Sequence, residues 1–251
     1  MSPRPRRPPL PLALTVLRLI WTSLLAITCS LAAAEPGAAP AARPQPPQDD
    51  PRLPRVMLIG DSISVGYTDA VRSELAGVAN VHRVAGNAGP SSSGVQKIDA
   101  WIAPGQGRWD VVHFNFGLHD LKLGTGGKTN QPYATSDGHQ VPPAEYEHNL
   151  RTIVAKLKTT GAALIWAATT PVPAGKLDPL RRPGDEVAYN AIARKVMEEN
   201  GVAVNDLHAL ILSQKPDLQQ PANVHFTKEG SAVLARQVAA RIRDALAQRQ
   251  R

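Results

Sequence analysis

The chain has 251 residues, a formal net charge of +7 and a single cysteine. This length favours one large domain or two small ones. The first 34 residues carry four arginines and no acidic residue, and without them the net charge falls to +3. So small a surplus, with no basic block interleaved with aromatic residues, argues against a nucleic-acid-binding protein.

Residues 1–34 have the features of a secretory signal peptide. Their arginines form a basic start, residues 19–31 are largely apolar, and alanines at 32–34 supply the small residues of a cleavage site. The apolar run is too short to span a bilayer comfortably. We therefore expect export to the periplasm or the cell exterior, with no stable membrane insertion after cleavage. Cys29 lies inside this segment, so the mature chain should contain no disulfide.

Residues 35–54 have the composition of a linker. Seven of these 20 residues are proline, and almost none is a large apolar residue that a core could bury. Such a segment is expected to form a stiff, disordered tether. Residues 55–251 contain no second linker of this kind and suffice for one domain with a sizeable core.

Strand-like and helix-like patterns alternate along this domain. Five short apolar runs predict strands, at 56–59, 81–84, 111–116, 162–168 and 202–204. Helical periodicity is clearest in residues 146–157, 189–197 and 234–246, and Thr227 is a possible cap of the last helix. The alternation predicts an α/β fold, a three-layer α/β/α sandwich with a five-stranded parallel sheet. Ligands of such sheets bind beyond the carboxyl ends of the strands.

Candidate functional groups follow four of the five predicted strands. The first strand leads into Gly60-Asp61-Ser62, just before a helical pattern. A serine at such a junction stands clear of the sheet, and the first helical N–H groups can stabilise negative charge on an attacked carbonyl oxygen. Later strand ends lead to loops that contain glycine and histidine. A serine esterase needs these groups, namely a nucleophile, a base and N–H donors for the oxyanion.

Together these segments resemble the conserved blocks of the SGNH or GDSL hydrolases. The Gly-Asp-Ser at 60–62 is similar to the block that carries the serine nucleophile. The Asn-Ala-Gly at 87–89 is similar to the second block, whose glycine amide helps to form the oxyanion hole. The Gly-Leu-His-Asp at 117–120 aligns with the third block. His225, followed by Gly230, resembles the last block with its catalytic histidine.

The resemblance extends over about residues 56–246 and implies a flavodoxin-like SGNH hydrolase fold. It also implies a carboxylic ester hydrolase that needs no cofactor. Ser62 would be the nucleophile and His225 the base. The amides of Ser62 and Gly89, together with His119, would form the oxyanion hole.

Two positions depart from the family pattern. His119 stands where an asparagine usually donates its side-chain amide to the oxyanion. A neutral imidazole can take this role if its other nitrogen accepts a hydrogen bond elsewhere. Ala222 stands where an aspartate usually orients the catalytic histidine. Asn223, Asp217 or a backbone carbonyl can replace that aspartate, and the sequence does not choose among them.

We therefore expect an exported, monomeric esterase or deacylase that acts on a small-molecule or carbohydrate ester. O-acetyl groups on carbohydrate are the favoured substrate. Residues 122–145 lie beside His119 and are expected to shape the pocket. The remaining histidines show no metal-ligand spacing, so we expect no metal. The missing aspartate motivates one alternative, a non-catalytic binding or scaffold domain that retains the fold.

Overall fold

A five-stranded parallel sheet forms the centre of the protein. Its strands are β1 (Arg55–Ile59), β2 (Asn80–Arg83), β3 (Val111–Phe114), β4 (Ala163–Ala167) and β5 (Ala203–Asn205). They lie in the order β2-β1-β3-β4-β5, and all neighbouring pairs are parallel. Each predicted strand is confirmed to within two residues at either end. The computed structural model describes residues 49–103, 107–124 and 138–249, so the predicted signal peptide and most of the predicted linker lie outside the described residues.

Helices cover both faces of the sheet. They are α1 (Ser62–Glu74), α2 (Ser91–Trp101), α3 (Pro143–Lys158), α4 (Asp185–Glu199), α5 (Leu207–Leu212) and α6 (Lys228–Arg249). Helix α1 packs against α6, whereas α2, α3 and α4 pack in a row. The step from β1 to β2 runs opposite to the later steps across the sheet, so right-handed crossovers place α1 on one face and α2, α3 and α4 on the other. The predicted three-layer, flavodoxin-like α/β/α fold is confirmed.

The apolar side chains of the helices anchor them to the sheet. The stripe along α3 is fully buried and consists of Tyr146, Leu150, Ile153, Val154 and Leu157. Each aliphatic member contributes about 1.5–3 kcal/mol relative to an exposed side chain. Sequence periodicity predicted α3, α4 and α6 but did not single out α2. Three leading serines and Gly94 interrupt the apolar pattern of α2.

Residues 49–54 pack against the domain, although the sequence analysis assigned them to the linker. The Asp50 N–H donates to Asn80 Oδ1 at 3.0 Å, and Asn80 Nδ2 donates back to the Asp50 carbonyl at 2.8 Å. The Asp49 carboxylate lies 2.7 Å from Nε2 of His82 on the same edge strand, β2. Asp49 and Asp50 therefore attach residues 49–54 to the edge of the sheet.

The topology places the candidate residues Ser62 and His119 beyond the same edge of the sheet. Strand order reverses at β1, so the carboxyl ends of β1 and β3 are neighbours at the switch point where doubly wound sheets bind ligands. Ser62 follows β1, and the segment 117–120 follows β3. Gly117 permits close approach of the next strand end, because a Cβ there would lie only 2.0 Å from Thr169 Oγ1.

Candidate active site

Ser62 is the first residue of α1, directly after the turn that leaves β1. Asp61 caps this helix, since its side chain accepts a hydrogen bond from the Ile63 N–H at 2.9 Å. The cap is therefore Asp61, and the Ser62 hydroxyl is not needed for that purpose. Within the described residues the Ser62 N–H has no hydrogen-bond acceptor. The Ser62 N–H is thus available to an anion at the positive end of the helix dipole, and the hydroxyl is not used as a cap.

The Ser62 hydroxyl meets the imidazole of His225. Ser62 Oγ lies 2.8 Å from His225 Nε2, although 163 residues separate the two positions. His225 lies in the loop before α6. This loop is fixed by Thr227, whose Oγ1 accepts from the Gly230 N–H at 3.1 Å and so caps α6 as the sequence predicts. Gly230 is required here because a Cβ would lie 2.2 Å from the Leu218 carbonyl oxygen.

A chain of hydrogen bonds sets the tautomer of His225. The Phe226 carbonyl can only accept, so Gln220 Nε2 donates to it at 3.1 Å and Gln220 Oε1 is free to accept. Asn223 Nδ2 donates to that oxygen at 3.1 Å, which turns Asn223 Oδ1 towards His225. This oxygen accepts from the His225 N–H at 3.0 Å and from Nδ1 at 2.7 Å. Because Nδ1 donates, Nε2 carries the lone pair that faces Ser62.

The three candidates for orienting His225 are thereby separated. Asn223 contacts the ring directly, as described above. Asp217 is exposed, and in the described residues no hydrogen bond or ion pair joins it to His225. The ring also has no backbone carbonyl partner in that part of the chain. Asn223 is therefore the residue that occupies the place of the family's aspartate at Nδ1.

The second candidate oxyanion donor, Gly89, lies in the loop between β2 and α2. The preceding Ala88 N–H donates to the Gly60 carbonyl at 3.0 Å, which attaches this loop to the turn that carries Ser62. The Gly89 N–H donates to Asn87 Oδ1 at 2.8 Å. An oxyanion can therefore use the Gly89 N–H only by sharing it with Asn87 or by displacing that contact.

The third candidate donor, His119, is held as a neutral imidazole. Burial lowers the pKa of His119 to about 3, with further lowering by the charges of Lys122 and Arg181 and by electrostatic interaction with His225. Lys122 Nζ lies 2.9 Å from His119 Nδ1. The requirement stated from the sequence, that one ring nitrogen find a partner elsewhere, is met in the structure.

Two supporting groups were missed by sequence reasoning. Asp120 Oδ1 accepts from the Ser91 N–H at 2.8 Å and from Ser91 Oγ at 2.5 Å. It therefore joins the loop after β3 to the start of α2. Arg83 Nη2 donates to the Gly60 carbonyl at 3.0 Å and so supports the turn before Ser62. A basic residue at the end of β2 was the only signal, and it does not reveal its acceptors.

The described residues also bear on metals, membranes and the predicted pocket loop. They contain no group of three or more histidine, cysteine, aspartate or glutamate side chains that could hold a metal ion. None of their helices is long and apolar enough to cross a membrane. Of the segment 122–145, residues 125–137 lie outside the described residues. Its two ends meet at an antiparallel bridge between Leu123 and His139.

A serine hydroxyl and an imidazole at the switch point of a doubly wound sheet define the class of α/β serine hydrolases. The model of the GDSL-like lipase/acylhydrolase family matches residues 58–233, well over half of the chain. The chain belongs to this family of SGNH/GDSL hydrolases, and the protein is a carboxylic ester hydrolase.

Solved structures with the same fold include several hydrolases. The lipase/acylhydrolase from Enterococcus faecalis is 18% identical with a TM-score of 0.61, covering 75% of this chain and 95% of that one. An acetyl xylan esterase is 17% identical with a TM-score of 0.59, covering 75% and 99%. An acetylxylan esterase from Geobacillus stearothermophilus is 21% identical with a TM-score of 0.54, covering 74% and 92%. At these identities the similarity establishes the fold. No curated protein matches the chain significantly.

Proposed function

We propose that the protein is an exported, monomeric serine esterase or deacylase in which Ser62 is the nucleophile and His225 the general base. The observation that carries this proposal is the 2.8 Å contact between Ser62 Oγ and His225 Nε2. The direction of this hydrogen bond is set by Asn223, which accepts from His225 Nδ1 and leaves the lone pair on Nε2. That lone pair is what a base needs to take the hydroxyl proton.

The reaction follows from this geometry. Ser62 Oγ bonds to the ester carbonyl carbon while its proton moves to His225 Nε2. The N–H groups of Ser62 and Gly89 and the ring of His119 stabilise the oxyanion, with the Gly89 N–H shared with Asn87. The ester C–O bond then breaks, and His225 gives the proton to the leaving alcohol. Water, losing its proton to His225, then bonds to the acyl carbon. The bond from that carbon to Ser62 Oγ breaks, His225 returns the proton to Oγ, and the acid leaves.

O-acetylated carbohydrate is the substrate class that we place first. Two acetylxylan esterases share the fold, and the predicted signal peptide would bring the enzyme to carbohydrate outside the cytoplasm. The reaction proposed above needs neither a metal nor another cofactor.

A non-catalytic scaffold is the competing proposal, because Ala222 replaces the orienting aspartate. The geometry favours catalysis, since Asn223 Oδ1 supplies the acceptor that His225 Nδ1 requires. An amide oxygen orients the ring as a carboxylate does, although it brings no negative charge to the imidazolium.

Labelling with a fluorophosphonate tests the proposed nucleophile. The folded wild-type protein should be labelled on Ser62, and Ser62→Ala should lose both the label and ester turnover, by roughly 10⁴-fold or more. The matched control is Ser73→Ala. Ser73 is exposed on the same helix, and among the described residues its hydroxyl bonds only to the Asp69 carbonyl. A folded wild-type protein that resists the probe would favour the scaffold.

A substrate panel then tests the substrate class. p-Nitrophenyl acetate, longer p-nitrophenyl esters and acetylated xylan should be compared by kcat/KM. We expect preference for acetyl esters and release of acetate from the xylan. Preference for long acyl chains with no acetate release would overturn the carbohydrate assignment while leaving the esterase in place.

A further inference from the structure

The contact between His119 and Lys122 places a cation on one ring nitrogen of a proposed oxyanion donor. Lys122 Nζ lies 2.9 Å from His119 Nδ1. The two residues belong to one tight turn, in which the Lys122 N–H donates to the His119 carbonyl at 3.3 Å. Their side chains therefore meet because of local backbone geometry, independently of any ligand.

The Lys122 ammonium group has no competing carboxylate partner among the described residues. Lys122 is partly buried, and no carboxylate of the described residues lies within salt-bridge distance of its ammonium group. Its backbone is fixed as well, since the Gln140 N–H donates to the Lys122 carbonyl at 2.8 Å. A half-buried ammonium group with a fixed backbone and a nitrogen acceptor at hydrogen-bond distance orients that acceptor strongly.

The contact has a definite consequence for the proton on His119. An ammonium group has three donors and no acceptor, so Nδ1 must present its lone pair to Lys122. The single proton of the neutral ring then lies on Nε2. Double protonation is disfavoured because burial and the charges of Lys122 and Arg181 lower the pKa of His119. Arg181 itself is held on the Leu118 carbonyl by its Nε at 2.6 Å.

An asparagine at this position would need no such control, since its amide group always carries N–H donors. A histidine has two neutral tautomers, and only one offers a proton on Nε2. With the other tautomer the Nε2 lone pair would repel an oxyanion on that side of the ring. Replacing the family's asparagine by histidine therefore creates a need for a group that selects the tautomer.

We infer that Lys122 is a positioning residue that holds His119 in its Nε2–H tautomer, so that His119 serves as the third oxyanion donor. This inference rests on the proposed esterase function and deepens it. Lys122 acts through His119 and does not itself touch the reacting atoms.

A double-mutant cycle tests the inference. Lys122→Met keeps the apolar stem and removes the donor, and it should lower kcat by roughly 10²-fold, the scale of one lost oxyanion donor, with little change in KM. Lys122→Arg restores a donor and should recover much of the activity. The exposed Lys97→Met on α2 is the matched control and should leave kcat unchanged.

The His119→Asn background provides the decisive comparison. An asparagine donor has no tautomer to select, so adding Lys122→Met to His119→Asn should change kcat by less than about twofold. Equal losses in both backgrounds would show a structural role for Lys122 and overturn the inference. An unchanged kcat for Lys122→Met in the native background would overturn it as well.

Nitrogen NMR reads the tautomer without reference to activity. In the folded wild-type protein, His119 should show a protonated Nε2 and an unprotonated Nδ1, and Lys122→Met should shift the ring towards the other tautomer. A proton on Nδ1 in the wild type would contradict the inference. If the wild-type protein neither hydrolyses esters nor reacts with the fluorophosphonate, the proposed function is overturned, and the oxyanion role of His119 with it. The NMR result would still decide whether Lys122 selects the tautomer.

Discussion

The side-chain oxygen of Asn223 accepts two hydrogen bonds from His225, one from its backbone N–H at 3.0 Å and one from ring Nδ1 at 2.7 Å. The backbone contact fixes Asn223 relative to the loop, and the ring contact fixes the imidazole relative to Asn223. A neutral amide thereby performs the orienting part of the task that a carboxylate performs in a Ser-His-Asp triad.

Substitution of Asn223 should separate orientation from charge. Asn223→Ala removes the acceptor at Nδ1 and should lower kcat by roughly 10²- to 10⁴-fold. Asn223→Asp keeps an acceptor and adds the charge that the family normally has, so its kcat should stay within about tenfold of the wild type or exceed it. Steady-state kinetics with p-nitrophenyl acetate would measure both effects.

Asp217→Ala is the control for this pair, because Asp217 is exposed and has no bond to His225 in the described residues. Its kcat should equal that of the wild type. A large loss for Asp217→Ala, with Asn223→Ala near wild-type activity, would show that the loop rearranges in solution and that the carboxylate orients His225.

Asp120 should make the stability of the protein depend on pH. Burial raises the pKa of Asp120 from its ordinary value of 3.8 to about 7, despite two hydrogen bonds from Ser91. The folded state therefore holds the proton more tightly than the unfolded state. Protonation of Asp120 therefore contributes to the free energy of unfolding, on the order of a few kcal/mol. This contribution is complete below about pH 4 and is lost as the pH rises towards about 7.

The variant Asp120→Asn isolates this effect, because the amide oxygen still accepts from Ser91 but does not titrate. The free energy of unfolding of the wild type, minus that of the variant, should decrease as the pH rises from 4 to 7. Other groups that titrate in this range, such as the buried His113, cancel in the difference. A difference that is flat or rises with pH would contradict the assignment. Urea denaturation at several pH values supplies the data.

Alanine substitution at two glycines should change the stability of the protein in opposite directions. Gly66 is exposed within α1, and a Cβ there would make an ordinary contact of 3.5 Å with Ser231 Oγ. Gly66→Ala should stabilise the protein by about 0.5–1 kcal/mol, because alanine favours the helix. At Gly230 the added Cβ would meet a backbone oxygen at 2.2 Å, and Gly230→Ala should destabilise by about 1–3 kcal/mol or more.

Thermal melts of the two alanine variants would measure the shifts. The loop of His225 precedes Gly230, so the second variant should lose activity as well as stability. Equal stability of the two variants would mean that the backbone near Leu218 yields easily.

Much of the architecture was predictable because the strands appear in the sequence as short apolar runs and three of the helices as clear helical periodicity. The meeting of Ser62 with His225 was predictable because each residue lies in a short motif at a strand end or helix start. The choice of Asn223 over Asp217 was not predictable, since it depends on how Gln220 turns the amide in a folded loop. The contact of Lys122 with His119 also escaped prediction. It requires a tight turn that the sequence 117–122 does not specify by composition.

Ser62 and His225 lie near opposite ends of the domain's sequence, 163 residues apart. Helix α6, which follows His225, packs against α1, which carries Ser62. During translation, a nascent chain that has emerged only as far as β5 has the serine without its partner. Docking of α6 against α1 is thus the step that brings His225 to Ser62. If α6 unfolds first on heating, turnover should be lost before the sheet itself unfolds.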